Sequence, residues 1–412
     1  MRIIHTADWH IGHTLRGYPR DHEHRAVLNE LASIIAEREA DALIVSGDVF
    51  DSQNPSGDSQ RLFYETLVAL HRSRPGLRIV ITAGNHDAAG RLEAPRALLD
   101  GFNTHVVGNV RRINGRIDAK RHLVPLTVKG GAIAAHVLAV SYPTAACLPA
   151  LRSLEGEEGS PVVRATKALY DELMEGVRDI TSGLPLIVTG HLHVQGGLQS
   201  EGAERTILVG GQHAVPPDVF PEDACYVALG HLHRPQTLKG DRVRYSGSLL
   251  PLSATEQAYR HGVTLLTLEG GSTAIEHIEL KRPVDFLRVP QSGEIRLGEL
   301  GDHLKALDLC PQLPIEQRPF IHVRLSREGL NSGSRAEADR IAENFPVRLV
   351  DVRVAARQNC ETATEGEPLV RLAERAPEDL FREAFLRTHG EEPDAQHREI
   401  FHRALAEAGA EV

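Results

Sequence analysis

Short motifs rich in aspartate, asparagine and histidine recur along this chain of 412 residues: Asp8-Trp9-His10, Gly47-Asp48, Gly84-Asn85-His86-Asp87, Gly190-His191 and Gly230-His231-Leu232-His233. They follow runs that read as buried strands, namely Ile3-Ile4, Ala42-Leu43-Ile44-Val45, Ile79-Val80-Ile81 and Leu186-Ile187-Val188. In open α/β sheets the carboxyl ends of the strands share one edge, so residues far apart in sequence can converge there. Imidazole, carboxylate and amide donors without thiolate suit Mn²⁺, Fe²⁺ or Zn²⁺ better than Ca²⁺ or a structural zinc. Asp8 and His10 stand two residues apart, as do His231 and His233, and in extended backbone such pairs point the same way. Asp48, a single carboxylate between two clusters, can bridge two cations roughly 3.5–4 Å apart, the spacing that clamps an in-line phosphoryl displacement. A water held at that bridge would be acidified by both charges and serve as the nucleophile.

Single members of this set carry little weight. The chain has 22 histidines, so one His-x-His arises easily, and His193 is read as lying outside the ligand set. Gly-Asp after a strand is often only a turn, and Asn-His-Asp can cap a helix. The ordered occurrence of all five elements at strand ends outweighs these separate readings. Gly-His-Leu-His occurs at 190–193 and again at 230–233, but the flanking residues do not repeat, so no internal duplication is inferred.

The elements that must position these residues are an alternation of strands and helices over the first ~280 residues, as in an α/β sandwich or doubly wound sheet. A helix opens at Asp21, with Val27, Leu28, Leu31, Ile34 and Ile35 at helical spacing. Another begins at Ser160-Pro161 and is expected to turn Leu169, Leu173, Val177 and Ile180 inward. From about Thr206 to Leu280, strands punctuated by Gly210-Gly211 and Gly270-Gly271 are expected to form the second sheet of a sandwich. A break at Lys281-Arg282-Pro283 sets the boundaries 1–282 and 283–360. The smaller unit reads as a helix at 297–309, a strand at 320–325, a helix at 336–345 and a strand at 347–354. A polar linker from Glu361 to Glu367 opens a tail, 361–412, in which Leu380, Phe381, Ala384 and Phe385 form one apolar stripe and Ile400, Phe401, Ala404 and Leu405 another.

Charged residues at 25% and hydrophobic residues at 41% are ordinary for a soluble globular protein. Cys147, Cys225, Cys310 and Cys360 are far apart and form no Cys-x-x-Cys pair, so neither a thiolate zinc site nor a disulfide framework is expected, and a reducing cytoplasm fits. No apolar run approaches a membrane span, and the segment after Met1 has no signal-peptide character. The formal charge of −10 weighs against a freestanding nucleic-acid binder. Arg16, Arg20, His22, His24 and Arg25 follow the first ligand pair and read either as a basic rim or as a solvated helix start. Two bound dications would offset part of the negative charge at the site.

The order D-x-H, GD, GNHD, GH, GHxH resembles the calcineurin-like metallophosphoesterase family, which contains phosphatases and nucleases. Asp8-Trp9-His10-Ile11-Gly12, Gly47-Asp48-Val49-Phe50-Asp51, Gly84–Asp87, Ala228–His233 and Tyr245-Ser246-Gly247-Ser248-Leu249-Leu250-Pro251-Leu252-Ser253 are similar to its SbcD branch of bacterial nuclease subunits. The resemblance implies a four-layer α/β/β/α sandwich core, a small α+β capping domain and a C-terminal helical tail for partner docking. It implies one metal held by Asp8, His10, Asp48 and His233, a second by Asp48, Asn85, His191 and His231, and His86 as the acid, with Mn²⁺ the expected ion. Asp87 is expected to orient its neighbours. Asp51 stands where some relatives carry histidine, and Cys225 and Ala254 are read as packing changes. The partners implied are DNA and an SbcC-like ATPase with a long coiled coil, received by Leu380, Phe381, Phe385, Phe401 and Leu405, with a homodimer inside a heterotetramer and no membrane. Three readings stand at this point: a DNA exonuclease and endonuclease subunit in repair and recombination, a small-molecule phosphodiesterase or phosphatase, and a noncatalytic scaffold, against which the intact ligand positions argue.

Overall fold

The apolar runs that precede the motifs are strands of two six-stranded sheets. The computed structural model describes residues 1–354 apart from 129, 145, 149–159, 182, 201–213 and 332, and beyond them only 381, 382, 385, 386, 392–394, 397, 398 and 401. The chain divides into two units, Met1–Ala355 and Ala356–Val412.

The first sheet runs in spatial order Ser272–Glu279, Gly262–Glu269, Arg2–Thr6, Ala42–Ser46, Arg78–Thr82, Thr104–Val107. Its last four strands are parallel, and the first two are antiparallel additions. The second sheet runs Gln236–Leu238, Val243–Tyr245, Ala224–Gly230, Leu186–His191, Ile133–Leu138, Leu123–Thr127. Here the inner four are parallel and both edge strands antiparallel.

Side chains alternate across a strand, and in both sheets each face is covered. Ile3, Ala42, Ile44 and Val80 face the second sheet and meet Val137, Ile187, Tyr226 and Ala228. Their neighbours Ile4, Leu43, Val45, Ile79 and Ile81 face the other way, beneath Val27, Leu28 and Leu31 of helix Asp21–Glu37 and Leu62, Phe63 and Leu67 of helix Gly57–Ser73. On the far side Leu138, Val188 and Leu229 meet Leu169, Tyr170, Leu173 and Val177 of helix Pro161–Thr181. The result is four layers, helix, sheet, sheet and helix. Burial on both faces is why these strands read as unbroken apolar runs rather than alternating ones.

Two expectations are corrected by this packing. Ile180 is 45% exposed, and Ala165, Tyr170 and Met174 complete the buried face of that helix instead. Gly262–Glu269 and Ser272–Glu279 join the first sheet, because the former pairs antiparallel with Arg2–Thr6 and places Val263 and Leu265 on the helix side and Leu266 between the sheets.

A third, three-stranded sheet consists of Phe286–Val289, Phe320–Leu325 and Arg348–Val354, all parallel. Helices Leu300–Lys305 and Ser334–Ala342 cover one face through Leu300, Leu304, Ala338 and Ala342. The strand Phe286–Val289 adds to the helix and strand pattern read from the sequence. On the opposite face Phe286, Phe320 and Val350 pack against Leu15, with Tyr18 and Ala254 beside them, and so join this sheet to the sandwich. Two buried arginines seal that joint. Arg348 lies 3.7 Å from the Phe320 ring centroid, and Arg20 pairs with Glu23 at 2.8 Å while donating to the Pro251 carbonyl.

In the second unit, Phe381 stacks on Phe401 with ring centroids 4.4 Å apart, and Phe385 lies 4.7 Å from His397. Leu380, Ala384, Ile400, Ala404 and Leu405 lie outside the described residues. No helix among the described residues is long and apolar enough to cross a membrane.

Candidate metal centre

Every one of these Asp/Asn/His motifs sits where a strand of the two central sheets ends. Asp8 and His10 follow Arg2–Thr6, Asp48 follows Ala42–Ser46, Asn85 and His86 follow Arg78–Thr82, His191 closes Leu186–His191, and His231 and His233 follow Ala224–Gly230. The chain turns sharply at these points. Asp8, His10, Asp48 and His231 have φ of 53°, 46°, 49° and 100°, a left-handed conformation unusual for side-chain-bearing residues and concentrated at functional sites. Gly84 is required for a different reason: a Cβ there would lie 2.1 Å from Asp48 Oδ1.

The side chains converge in a buried cluster. Ligand atoms of Asp8, His10 and His233 lie within 4.8 Å of one another, as do those of Asp8, Asp48 and His191, and those of His10, Asp48 and His86. Asp48 Oδ2 is 3.2 Å from His191 Nε2 and 3.6 Å from His10 Nε2, so it stands between two donor sets. Asn85 Oδ1 lies 3.0 Å from His191 Nε2 and 3.2 Å from His231 Nδ1. His193 is turned elsewhere, with Nδ1 3.1 Å from Gln199 Nε2.

Oxygen acceptors fix the imidazole tautomers. His191 Nδ1 donates to the Ser46 carbonyl at 2.8 Å, His10 Nδ1 to Asp51 Oδ1 at 3.2 Å and His233 Nδ1 to Glu256 Oε1 at 2.9 Å. An imidazole that donates through Nδ1 offers the Nε2 lone pair to a cation, and the acceptor raises its basicity. The residues present fit divalent metal. Asp8 Oδ2 and His10 Nε2 are buried without a hydrogen-bond partner, and Asp48 Oδ2, Asn85 Oδ1 and His191 Nε2 bring three electron-pair donors together. Burial disfavours charge on both His191 and Asp48, yet each holds the other ionised. The imidazole is pushed up to about 9 by Asp48 and Asp8, and His191, with His10 and His86, draws Asp48 well below the usual carboxylate range.

Asp87 binds no ligand atom of the cluster. Its carboxylate accepts from the amides of Gly84, Val49 and Phe50 at 2.9, 3.1 and 2.9 Å, tying the loop after one strand to the loop after the next. Of the residues after the first ligand pair, Arg20 and His24 are buried: Arg20 bonds Glu23, and His24 lies 3.0 Å from the Trp9 carbonyl. Only Arg16, His22 and Arg25 face solvent, so a rim of five basic groups is not formed. Cys225 and Ala254 pack at the edges of apolar clusters.

Residues 1–235 match the model of the calcineurin-like phosphoesterase family. A protein of Rhodobacter capsulatus, named as the D component of the nuclease SbcCD, is 48% identical over 93% of this chain and 94% of its own length. The chain belongs to the SbcD branch of the calcineurin-like phosphoesterases. Proteins of the same name from Bacillus subtilis and Escherichia coli are 39% identical over 66% of this chain and 68% of the relative, and 29% identical over 92% of each. Residues 282–389 match a second family model, described as a type 5 capsule protein repressor C-terminal domain. Two carboxylates beside this SbcD-type centre make contacts that the sequence does not announce, Glu256 to His233 and Asp51 to His10. Position 51 stands out in the sequence only for its residue type, and neither residue has a spacing to His233 or His10 that announces contact.

Proposed function

We propose that this chain is the nuclease subunit of a DNA-processing complex, cutting phosphodiesters as a double-strand exonuclease and as an endonuclease on hairpins and single strands. The observation that carries the reading is Asp48, one carboxylate within reach of both His10 and His191. Asp8, His10, Asp48 and His233 would hold one divalent ion, and Asp48, Asn85, His191 and His231 the other, with Mn²⁺ the ion of choice. When bound, such a pair supplies Lewis-acid polarisation of a phosphoryl oxygen and an acidified water.

The protein's own groups do the rest. Asp48 Oδ1 accepts the His86 amide at 2.8 Å, which leaves Oδ2 to face the ligand imidazoles. His86 Nδ1 donates to the Asp51 carbonyl at 2.8 Å, so Nε2 is the atom that exchanges a proton. Among the histidines of the cluster it is the least buried, at 8% exposure, as suits the group that meets the leaving oxygen.

The formal charge of −10 is accommodated if an SbcC-like ATPase with a coiled coil shares the DNA contacts. The tail, 361–412, would dock it in the helix-in-groove manner, and Leu380, Phe381, Phe385, Phe401 and Leu405 would contribute the apolar surface. A homodimer within a cytoplasmic heterotetramer completes the reading, and 283–360 serves as the capping domain. The test is to offer linear duplex, hairpin DNA, a generic phosphodiester and a phosphomonoester side by side, with Mn²⁺, with and without the ATPase. Preference for the monoester would favour a phosphatase.

A further inference from the structure

Glu256 is fully buried, at the end of the short turn Ala254–Glu256, and both of its oxygens are engaged. Oε1 accepts from His233 Nδ1 and from Ser200 Oγ, each at 2.9 Å, and Oε2 accepts from the Leu252 amide at 2.8 Å. Three donors from separate parts of the chain therefore meet one carboxylate. A buried acid is costly unless its lone pairs are used, and here they are used on a metal-site imidazole. His10 has a weaker counterpart, since the Asp51 side chain is 33% exposed and its contact is longer, at 3.2 Å.

The contact to Leu252 extends the linkage. The preceding carbonyl, of Pro251, accepts from Arg20, whose guanidinium lies 5.4 Å from the Phe320 ring in the third sheet. The His233 ring is thereby referred to the frame of the whole first unit rather than to its own loop alone.

We propose that Glu256 is a positioning residue for the ion assigned to Asp8, His10, Asp48 and His233, fixing the His233 ring with Nε2 toward the metal. The inference rests on the metal-centre reading above, and it concerns ion binding before any cut is made. Carboxylates that accept from a metal-ligating imidazole typically change metal affinity about 10–100-fold when removed.

The experiment titrates Mn²⁺ into the full chain by calorimetry, for the wild type, Glu256→Ala, Glu256→Gln and the reference His233→Ala. Glu256→Ala is expected to weaken one of two binding events about 10–100-fold, the event that His233→Ala abolishes, and to leave the other unchanged. Glu256→Gln keeps the volume and an acceptor oxygen for His233 and Ser200, while its amide nitrogen meets the Leu252 N–H, so it should cost less stability than Glu256→Ala and show a smaller loss at the same event. The Mn²⁺ concentration for half-maximal hydrolysis should rise in parallel, with kcat recovered at saturating Mn²⁺. A purely structural role would lower kcat at every Mn²⁺ concentration without moving the half-saturation point, and that result overturns the proposal. Unchanged affinity at both events in a folded Glu256→Ala overturns it equally, and should that variant fail to fold, unchanged affinity in Glu256→Gln decides the matter. A wild type that binds Mn²⁺ yet cuts no DNA would sink the nuclease reading and leave the positioning assignment standing.

Discussion

The backbone amide of His86 donates to Asp48 Oδ1 at 2.8 Å, so the proposed acid and the proposed shared ligand are held together by a bond that replacing the imidazole with a methyl group leaves in place. His86→Ala should therefore keep the Asp48 carboxylate in place and retain its metal content. Turnover should fall by ~10²–10⁴-fold, the usual range for a general acid. Metal analysis beside rate measurement checks this, and loss of metal together with activity would make His86 a ligand.

Gly84→Ala is expected to damage the site from the backbone. The new Cβ would meet Asp48 Oδ1 at 2.1 Å and the Asp48 amide nitrogen at 2.3 Å, and only movement of the loop relieves that. A loss of about 1–3 kcal/mol of stability, as for other overpacked sites, should accompany weakened Mn²⁺ binding. Gly57→Ala, where an added Cβ meets nothing within 4 Å, is the control and should change neither. Equal behaviour of the two variants in thermal melts and Mn²⁺ titrations would contradict the close approach.

The Asp/Asn/His motifs and the strands that carry them are legible because both signals are local. Strands buried on two faces spell continuous apolar runs, and Gly-Asn-His-Asp or Gly-His-x-His must be contiguous to turn at a strand end. What the sequence hides depends on contacts between distant segments. Nothing in Gly262–Glu269 says that its partner is Arg2–Thr6 rather than a strand of the other sheet. Arg20 and His24 look like a solvated helix start, but Glu23, Pro251 and Trp9 satisfy them inside. Phe286–Val289, four residues with an arginine among them, is too short to declare itself a strand. Glu256 has no periodic relation to His233, and only the folded turn brings them to 2.9 Å.

His5 should make the protein acid-sensitive. Burial first, and then the charge of Arg244, hold its imidazole down at about 3, with Nδ1 2.9 Å from the Tyr226 hydroxyl. The unfolded chain takes up this proton near 6.5 and the folded chain does not, so the stabilisation is fully present above about 6.5 and declines as pH falls toward 3. Each such histidine steepens the decline by at most about 1.4 kcal/mol per pH unit. His5→Gln should flatten the fall in urea-unfolding free energy between about pH 6.5 and 4, compared in chelator so that ion release does not contribute. An unchanged slope would show that His5 protonates within the fold.

The tail should be separable from the rest. Met1–Ala355 and Ala356–Val412 are distinct units, and Phe381 lies against both Phe385 and Phe401 within the second. Removing 361–412 is expected to leave a folded, metal-binding protein that no longer co-purifies with the ATPase partner. Changing Phe381 and Phe385 to Ala should weaken that association by ~2 kcal/mol or more per ring, directly or by undoing the aromatic stack. A fall of many degrees in the melting temperature of the isolated chain, with partner binding intact, would mean that the tail is internal core.

Sharing of Asp48 between two ions is the feature on which the proposed chemistry depends most. The measurement is the number of Mn²⁺ ions bound per chain in the wild type and in Asp48→Ala, taken beside hydrolysis of linear duplex DNA. The expected result is two ions and DNA cleavage in the wild type, and loss of both ion sites with no hydrolysis of any substrate in the variant. Two ions retained by Asp48→Ala, or a wild type that binds one, would contradict it.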